Sequence, residues 1–314
     1  MDRPATGRLR GIELPPVVMR ARQAVPGPAR RALKWGARSY GGRTAAARPL
    51  PDFLIIGAKK AGTSSLMNWL LRHPAVARMF PAAERVKSPH YFDINFWRGA
   101  RWYRSHFPTR GVRRRIERKL GALTVTGEAS PYYLFHPASA ERAGTLLPDV
   151  RVIALLRDPV SRAYSNFWDR KAFGAEELDS FEKALAAEPE RFATVDQDRL
   201  AHDAHYYSFA HDHHSYLARG RYAEQLRAWM DHVPPERMLV LSAEDMFTDP
   251  QGTFRQVQRF LQIPVRDVEL DLFNARPRAT MNADTRAKLV NYYRPYNAEL
   301  YDLLGRDLGW DKPA

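Results

Sequence analysis

The stretch Phe53 to Leu66, FLIIGAKKAGTSSL, constrains the fold of this chain more than any other. Its uninterrupted apolar start predicts a short strand buried on both faces, as in a parallel sheet. Gly57 and Gly62 then bound a loop, and Thr63 to His73 predicts a helix, with Leu66, Trp69, Leu70 and His73 on one side and Pro74 beyond its end. A strand, a glycine loop and a helix N-terminus together form an anion site, because free N–H groups and the helix dipole converge there. The glycine spacing is that of a nucleoside-triphosphate loop, G-x-x-x-x-G-K-[ST], yet Lys59 and Lys60 precede Gly62 instead of following it. An ordinary turn between strand and helix would use many of the same residues. Two adjacent lysines beside a strand end favour the anion, since burying them without a partner is costly. They also stand out in a chain with forty Arg and nine Lys.

Similar units recur downstream. Leu123–Glu128, Arg151–Asp158 and Arg237–Met246 predict further strands. Helices are expected from Pro159 to about Phe173, from Pro250 to Leu261, and from Asp284 to Leu304 with an interruption at Pro295. An amphipathic helix is expected to start within Tyr216–Met230. This alternation implies an α/β fold: a P-loop-like, doubly wound parallel sheet flanked by helices, with its site at the carboxyl ends of the strands. At 314 residues a single domain is expected over 49–314, preceded by a basic, largely irregular extension, 1–48. Residues 28–40 of that extension suit a short basic helix, and 174–216 lack the strand–helix rhythm and predict an insertion near the site.

Charge is segregated. Residues 1–50 carry eleven Arg or Lys against two acids, and 110–119 six against one, which accounts for the whole of the +14 net charge. Such segments are commonly solvated surface, and they also attract anionic substrates or membranes. No apolar run of about 18 residues or more predicts a membrane span, and the N-terminus lacks a signal-peptide core. The absence of cysteine fits a reducing compartment. The expected location is cytoplasmic, with peripheral contact at the inner membrane surface through the basic N-terminus.

Three segments in order resemble the sulfotransferases that use 3′-phosphoadenosine 5′-phosphosulfate (PAPS), closest to the heparan-sulfate-type branch, and suggest a bacterial member. The first, KAGTSSL after FLIIG, is similar to the family's 5′-phosphosulfate loop. The resemblance implies Lys60 on the bridging oxygen, with Lys59, Ala61, Gly62, Thr63, Ser64 and Ser65 around the 5′-phosphate. The second, LLRDPVSRAYSNF, resembles the 3′-phosphate segment and implies Arg157 and Ser165 as its ligands. Arg157 leaving a buried strand is a planar fork suited to phosphate. A salt bridge to Asp158 would be the blander use of it. The third, FNARPRATMNAD, is a looser match that implies nucleotide contacts from Arg276 and Arg278, with Thr280 where the branch has His. The resemblance runs from about residue 50 to the end.

What it implies is transfer of the PAPS sulfonate to a hydroxyl of a carbohydrate, glycoconjugate or hydroxylated natural product by in-line displacement, leaving PAP. Such a step needs a base for the hydroxyl proton and a cation at the leaving oxygen. That branch reads E-x-H-[FY]-F-D around its base. Aligned with KSPHYFD, the Glu position is Ser88, which cannot act as a base near neutral pH. His90, oriented by Asp93, is therefore a candidate base, and Glu128 at the next strand end is the other. His90 and Asp93 could equally shape the acceptor pocket alone. No metal is expected: no acidic strand end of the nucleotidase type is evident, and the His/Asp-rich segment 201–214 lacks ligand spacing. Arg219 and Arg221 are further candidates to meet an anionic acceptor. The competing classes are a P-loop kinase or nucleoside triphosphatase, against which the lysine placement argues, and a basic nucleic-acid or membrane-binding module. Nucleic acid is not an expected partner.

Overall fold

The computed structural model describes residues 26–82, 86–271 and 279–311. Its centre is a four-stranded, all-parallel sheet of β1 (Phe53–Gly57), β2 (Gly127–Ala129), β3 (Arg151–Leu156) and β4 (Met238–Ser242), in the order β2-β1-β3-β4. Every residue of β1 and all but the first of β3 are buried, which is why both read as continuous apolar runs. The chain leaves β1 toward β2 on one side and returns to β3 on the other. The carboxyl ends of β1 and β3 thus flank the topological switch point, where open α/β sheets bind ligands.

Several boundaries differ from expectation for identifiable reasons. The strand expected over Leu123–Glu128 joins β1 only at Gly127, because Val125 pairs instead with Ala75 and Ala77, and the Thr126 amide is taken by Asp52 Oδ2 at 2.7 Å. The strand expected to reach Met246 stops at Ser242, whose hydroxyl accepts from the Asp245 amide and caps a helix over Ala243–Thr248. Pro295 does not interrupt the last helix, which runs unbroken over Ala283–Leu304. A helical proline forfeits one backbone bond, and the burial of Leu289, Tyr293 and Leu300 against the body holds the helix in place. The helix expected to start within Tyr216–Met230 begins at Tyr222, after a 3-10 turn over Ala218–Gly220.

The short basic helix expected over 28–40 is present and somewhat longer, Gly27–Arg43, and it docks by its C-terminal end; residues 1–25 of the extension lie outside the described residues. There Tyr40 packs on Phe80, and the buried Arg48 guanidinium stacks 4.1 Å over the Phe80 ring and donates to the Phe107 carbonyl. The basic segment forms the helix Arg110–Leu120. The 174–216 segment carries three helices, Phe181–Ala193, Gln197–His202 and Phe209–His213. Among the described residues no helix is long and apolar enough to cross a membrane.

Candidate active site at the carboxyl ends of β1 and β3

The loop after β1 is shaped by its second glycine. Gly62 has φ +106°, a left-handed conformation that a side-chain-bearing residue adopts only with strain, so the loop's shape favours glycine there. Gly62 also begins the helix Thr63–Arg72, whose N-terminus receives no side-chain cap. A helix start of this kind turns its first backbone N–H groups outward along the axis, where the helix dipole favours an anion. From β3, Arg157 Nη1 donates to the Lys60 carbonyl at 3.1 Å, joining the two strand ends across the switch point.

The two loop lysines diverge. Lys59 Nζ donates to the Asp212 carbonyl (2.8 Å) and to Oδ1 (3.2 Å), and Asp212 also accepts from Arg219. These cations outweigh burial and hold the Asp212 carboxyl well below its ordinary range. Lys59 therefore ties the 174–216 segment to the loop, whereas the sequence assigns it to the nucleotide. Lys60 Nζ instead reaches Asp169 Oδ1 at 2.7 Å, on the helix Pro159–Ala172.

A third lysine, to which the sequence assigns no role, stands over the helix start. Lys87 Nζ donates to Thr63 Oγ1 at 3.2 Å and Ser64 Oγ at 3.0 Å, and among the described residues no carboxylate pairs with it. Burial, and secondarily the charge of Lys60, lower its pKa to about 8. A buried ammonium supported only by hydroxyls is costly unless an anion joins it. The scarcity of lysine, which picked out Lys59 and Lys60, was a signal for Lys87 as well.

Lys87 also starts the opposite wall. Its carbonyl accepts from the Ala129 amide at 3.0 Å, laying 87–90 along the edge of β2. Ser88 thereby donates to Glu128 Oε2, while Tyr103 and Tyr133 donate to Oε1 at 2.6 and 3.0 Å. Glu128 is fully enclosed, and burial raises its pKa to about 7 despite these three donors. His90, at φ +50°, keeps a quarter of its side chain exposed. Its Nδ1 lies 2.9 Å from Asp93 Oδ2 and 3.1 Å from Ser130 Oγ, and Ser130 also donates to Asp93 at 3.0 Å. Burial alone would depress the imidazole, but the Asp93 carboxylate outweighs it and holds the pKa above its ordinary value. An Nδ1–H donated to Asp93 leaves Nε2 as the proton acceptor.

On the far side of the loop, Asp158 caps the helix Pro159–Ala172 through Val160 and Ser161, so it is not a salt-bridge partner of Arg157. Ser165, two turns along, is buried, and among the described residues its hydroxyl has no hydrogen-bond partner. Arg276 and Arg278 lie outside the described residues; the chain emerging from them is tied by Ala279, whose carbonyl accepts from Tyr164 OH at 2.9 Å, next to Ser165. Of the His/Asp-rich segment, His211 stacks on Phe135 and bonds Tyr132, and among the described residues no group of three or more such side chains is placed to hold a metal. Arg219 is buried against Asp212 and the Tyr132 ring and is not presented to an acceptor, whereas Arg221, which donates to Tyr292, stays part-exposed and lines a cavity with His136 and Gln225.

Comparison with known proteins bears on what such a site does. A family model described as a sulfotransferase domain matches residues 50–286. Human heparan sulfate glucosamine 3-O-sulfotransferase 6 is 30% identical over 291 residues, covering 84% of this chain and 74% of that protein. Mouse heparan sulfate glucosamine 3-O-sulfotransferase 3A1 is 28% identical over 289 residues, covering 84% of this chain. The chain spans 65% of that mouse protein's length, just under two thirds. A crystal structure of a sulfotransferase from Alicyclobacillus acidocaldarius superposes with a TM-score of 0.63 at 29% identity, covering 84% of this chain and all of that one.

Proposed function

The chain belongs to the sulfotransferase domain family, and from that premise we propose that it moves the sulfonate of PAPS to a hydroxyl group of a carbohydrate. The relatives named as heparan sulfate 3-O-sulfotransferases support a sugar as the acceptor class. In this proposal the transferase unit occupies 49–314, with 174–216 beside the acceptor.

One observation carries the reading: the buried Lys87 ammonium clasped by Thr63 and Ser64 at an uncapped helix start, a cradle complete only with an anion. The orphaned, buried Ser165 hydroxyl beyond Arg157 fits a second anionic group, so the residues present suit a nucleotide with two separate phosphate groups. The 5′ end would be held by Lys60, Lys87, the Thr63 and Ser64 hydroxyls and the amides of Gly62 to Ser64, with Ala61 and Ser65 shaping the loop around it. The 3′-phosphate would be held by Arg157 and Ser165, with Arg276 and Arg278 completing the nucleotide pocket. The bound donor supplies an activated sulfonate with a phosphate as leaving group.

The chain's own residues divide the remaining work. Lys60 leaves Asp169 to place its ammonium where negative charge develops on the leaving oxygen. His90 accepts the acceptor's proton at Nε2, while Asp93 and Ser130 fix its ring and stabilise the imidazolium. Glu128, with both oxygens engaged by hydroxyls, positions Ser88 and the segment 87–90 and does not reach the acceptor.

The test is transfer of labelled sulfate from PAPS across a panel of sugar acceptors, with Lys60→Ala as control. Turnover that disappears in the variant is expected. Neither turnover nor PAP binding by the natural protein would overturn the proposal.

A further inference from the structure

The helix Arg110–Leu120 lies at the other end of β1 from the donor loop. It is fastened by Arg113, which donates to Asp52 Oδ1 at 3.0 Å and to the Thr124 carbonyl, and by Glu117, which accepts from the Thr124 amide. This uses the helix's single acid and one of its six bases. Arg110, Arg114, Arg115, Arg118 and Lys119 are exposed, and among the described residues none forms an ion pair. Arg110, Arg114 and Arg118 follow one another at i, i+4, as do Arg115 and Lys119. Like charges at that spacing weaken a helix, so isolated stability does not explain the pattern.

Exposed apolar side chains accompany these cations. Val112 is half-exposed and Leu123, just past the helix, is 73% exposed. The helix Gly27–Arg43 adds Leu33 and Trp35, 65% and 76% exposed, beside Arg31. Both helices spring from one corner. Arg48, following the first, bonds the Phe107 carbonyl, and Thr109 caps the second. From Asp52 at this corner, β1 runs its five residues, about 16 Å, to the donor loop.

We infer that this corner docks on an anionic lipid surface and leaves the donor and acceptor sites facing away from it. The cations match acidic headgroups. A soluble polyanion would use the same cations and gain nothing from Leu33, Trp35, Val112 and Leu123, whereas the acyl boundary of a bilayer takes them up. The inference does not depend on the transfer activity.

The experiment is cosedimentation of the full-length chain with vesicles of phosphatidylcholine alone or mixed with phosphatidylglycerol, alongside retention on immobilised heparin. Binding to the mixed vesicles, lost at high salt and at least about tenfold weaker on phosphatidylcholine, is expected. The double variant Arg114→Glu/Arg118→Glu should bind the mixed vesicles at least about tenfold more weakly. Leu33→Ala/Trp35→Ala should weaken vesicle binding severalfold without changing heparin retention. An unaltered thermal unfolding midpoint and circular-dichroism spectrum show that the variants are folded. Equal binding to both vesicle types, indifference to the charge reversal, or heparin retention with no vesicle binding would each overturn the inference, the last in favour of a polyanionic partner.

Discussion

Lys60 Nζ lies 2.7 Å from Asp169 Oδ1, so the lysine proposed for the leaving oxygen starts from a carboxylate. The Asp169 carboxyl resists burial and stays ionised, its pKa lowered to about 2 by Lys60 and Arg170. Binding of the donor must compete with this pair. Asp169→Asn is expected to tighten PAP binding by about fivefold, the scale of one partly exposed ion pair. Lys60→Ala should cost about two to three orders of magnitude in transfer. Calorimetry with PAP checks the first, and weaker binding in Asp169→Asn would contradict it.

Lys87 makes donor affinity pH-dependent. With its pKa near 8, it loses its charge as the pH rises through that value, and affinity for PAP should fall with it. Lys87→Met should bind PAP at least about tenfold more weakly at pH 7 and show no such inflection. Titrations of PAP from pH 6.5 to 9.5, roughly spanning the step, decide it. An unchanged inflection in Lys87→Met would assign the titration to another group.

His90→Ala is expected to lower kcat by about two to four orders of magnitude while PAP binding stays intact. Asp93→Asn removes the charge that holds the imidazole above its ordinary pKa. The acidic limb of the kcat/KM profile should then move to lower pH, at reduced rate. Full activity in His90→Ala would remove the imidazole from the mechanism and return Glu128 to consideration.

Glu128 writes itself into the stability curve. Its folded pKa, about 7, exceeds the unfolded value of 4.5, so the folded state holds the proton more tightly. Its contribution is full below the unfolded pKa and is lost as the pH rises through 7. Glu128→Gln should flatten the decline in Tm between about pH 4.5 and 7, worth on the order of 3 kcal/mol at most. Parallel declines in both proteins would show that Glu128 is already ionised across this range.

Much of the fold was legible because its signals are local. The apolar runs of β1 and β3, Pro159 behind Asp158 and the glycine pair of the loop each act within a few residues. Where expectation failed, a distant partner had intervened. Val125 pairs with the turn at 75–77 in place of β1, and Pro295 sits in a helix held by packing. The Ser88 position shows the same division. The sequence reveals that a carboxylate is missing there, but not that Glu128, forty positions away, places its own against the Ser88 hydroxyl.

The lysines draw the line most sharply. The expectation of an anion at the loop between Gly57 and Gly62 needs the sequence alone, because amide direction and helix polarity are set by adjacent residues. Where each lysine sits around that loop is decided by the fold. Asp212, 153 positions from Lys59, claims that side chain for structure, while Lys60 rests on Asp169, 109 positions away, and Lys87 arrives over Thr63 and Ser64 from the neighbouring wall. Pairing of buried charges depends on distance through space, and only the folded chain sets those distances.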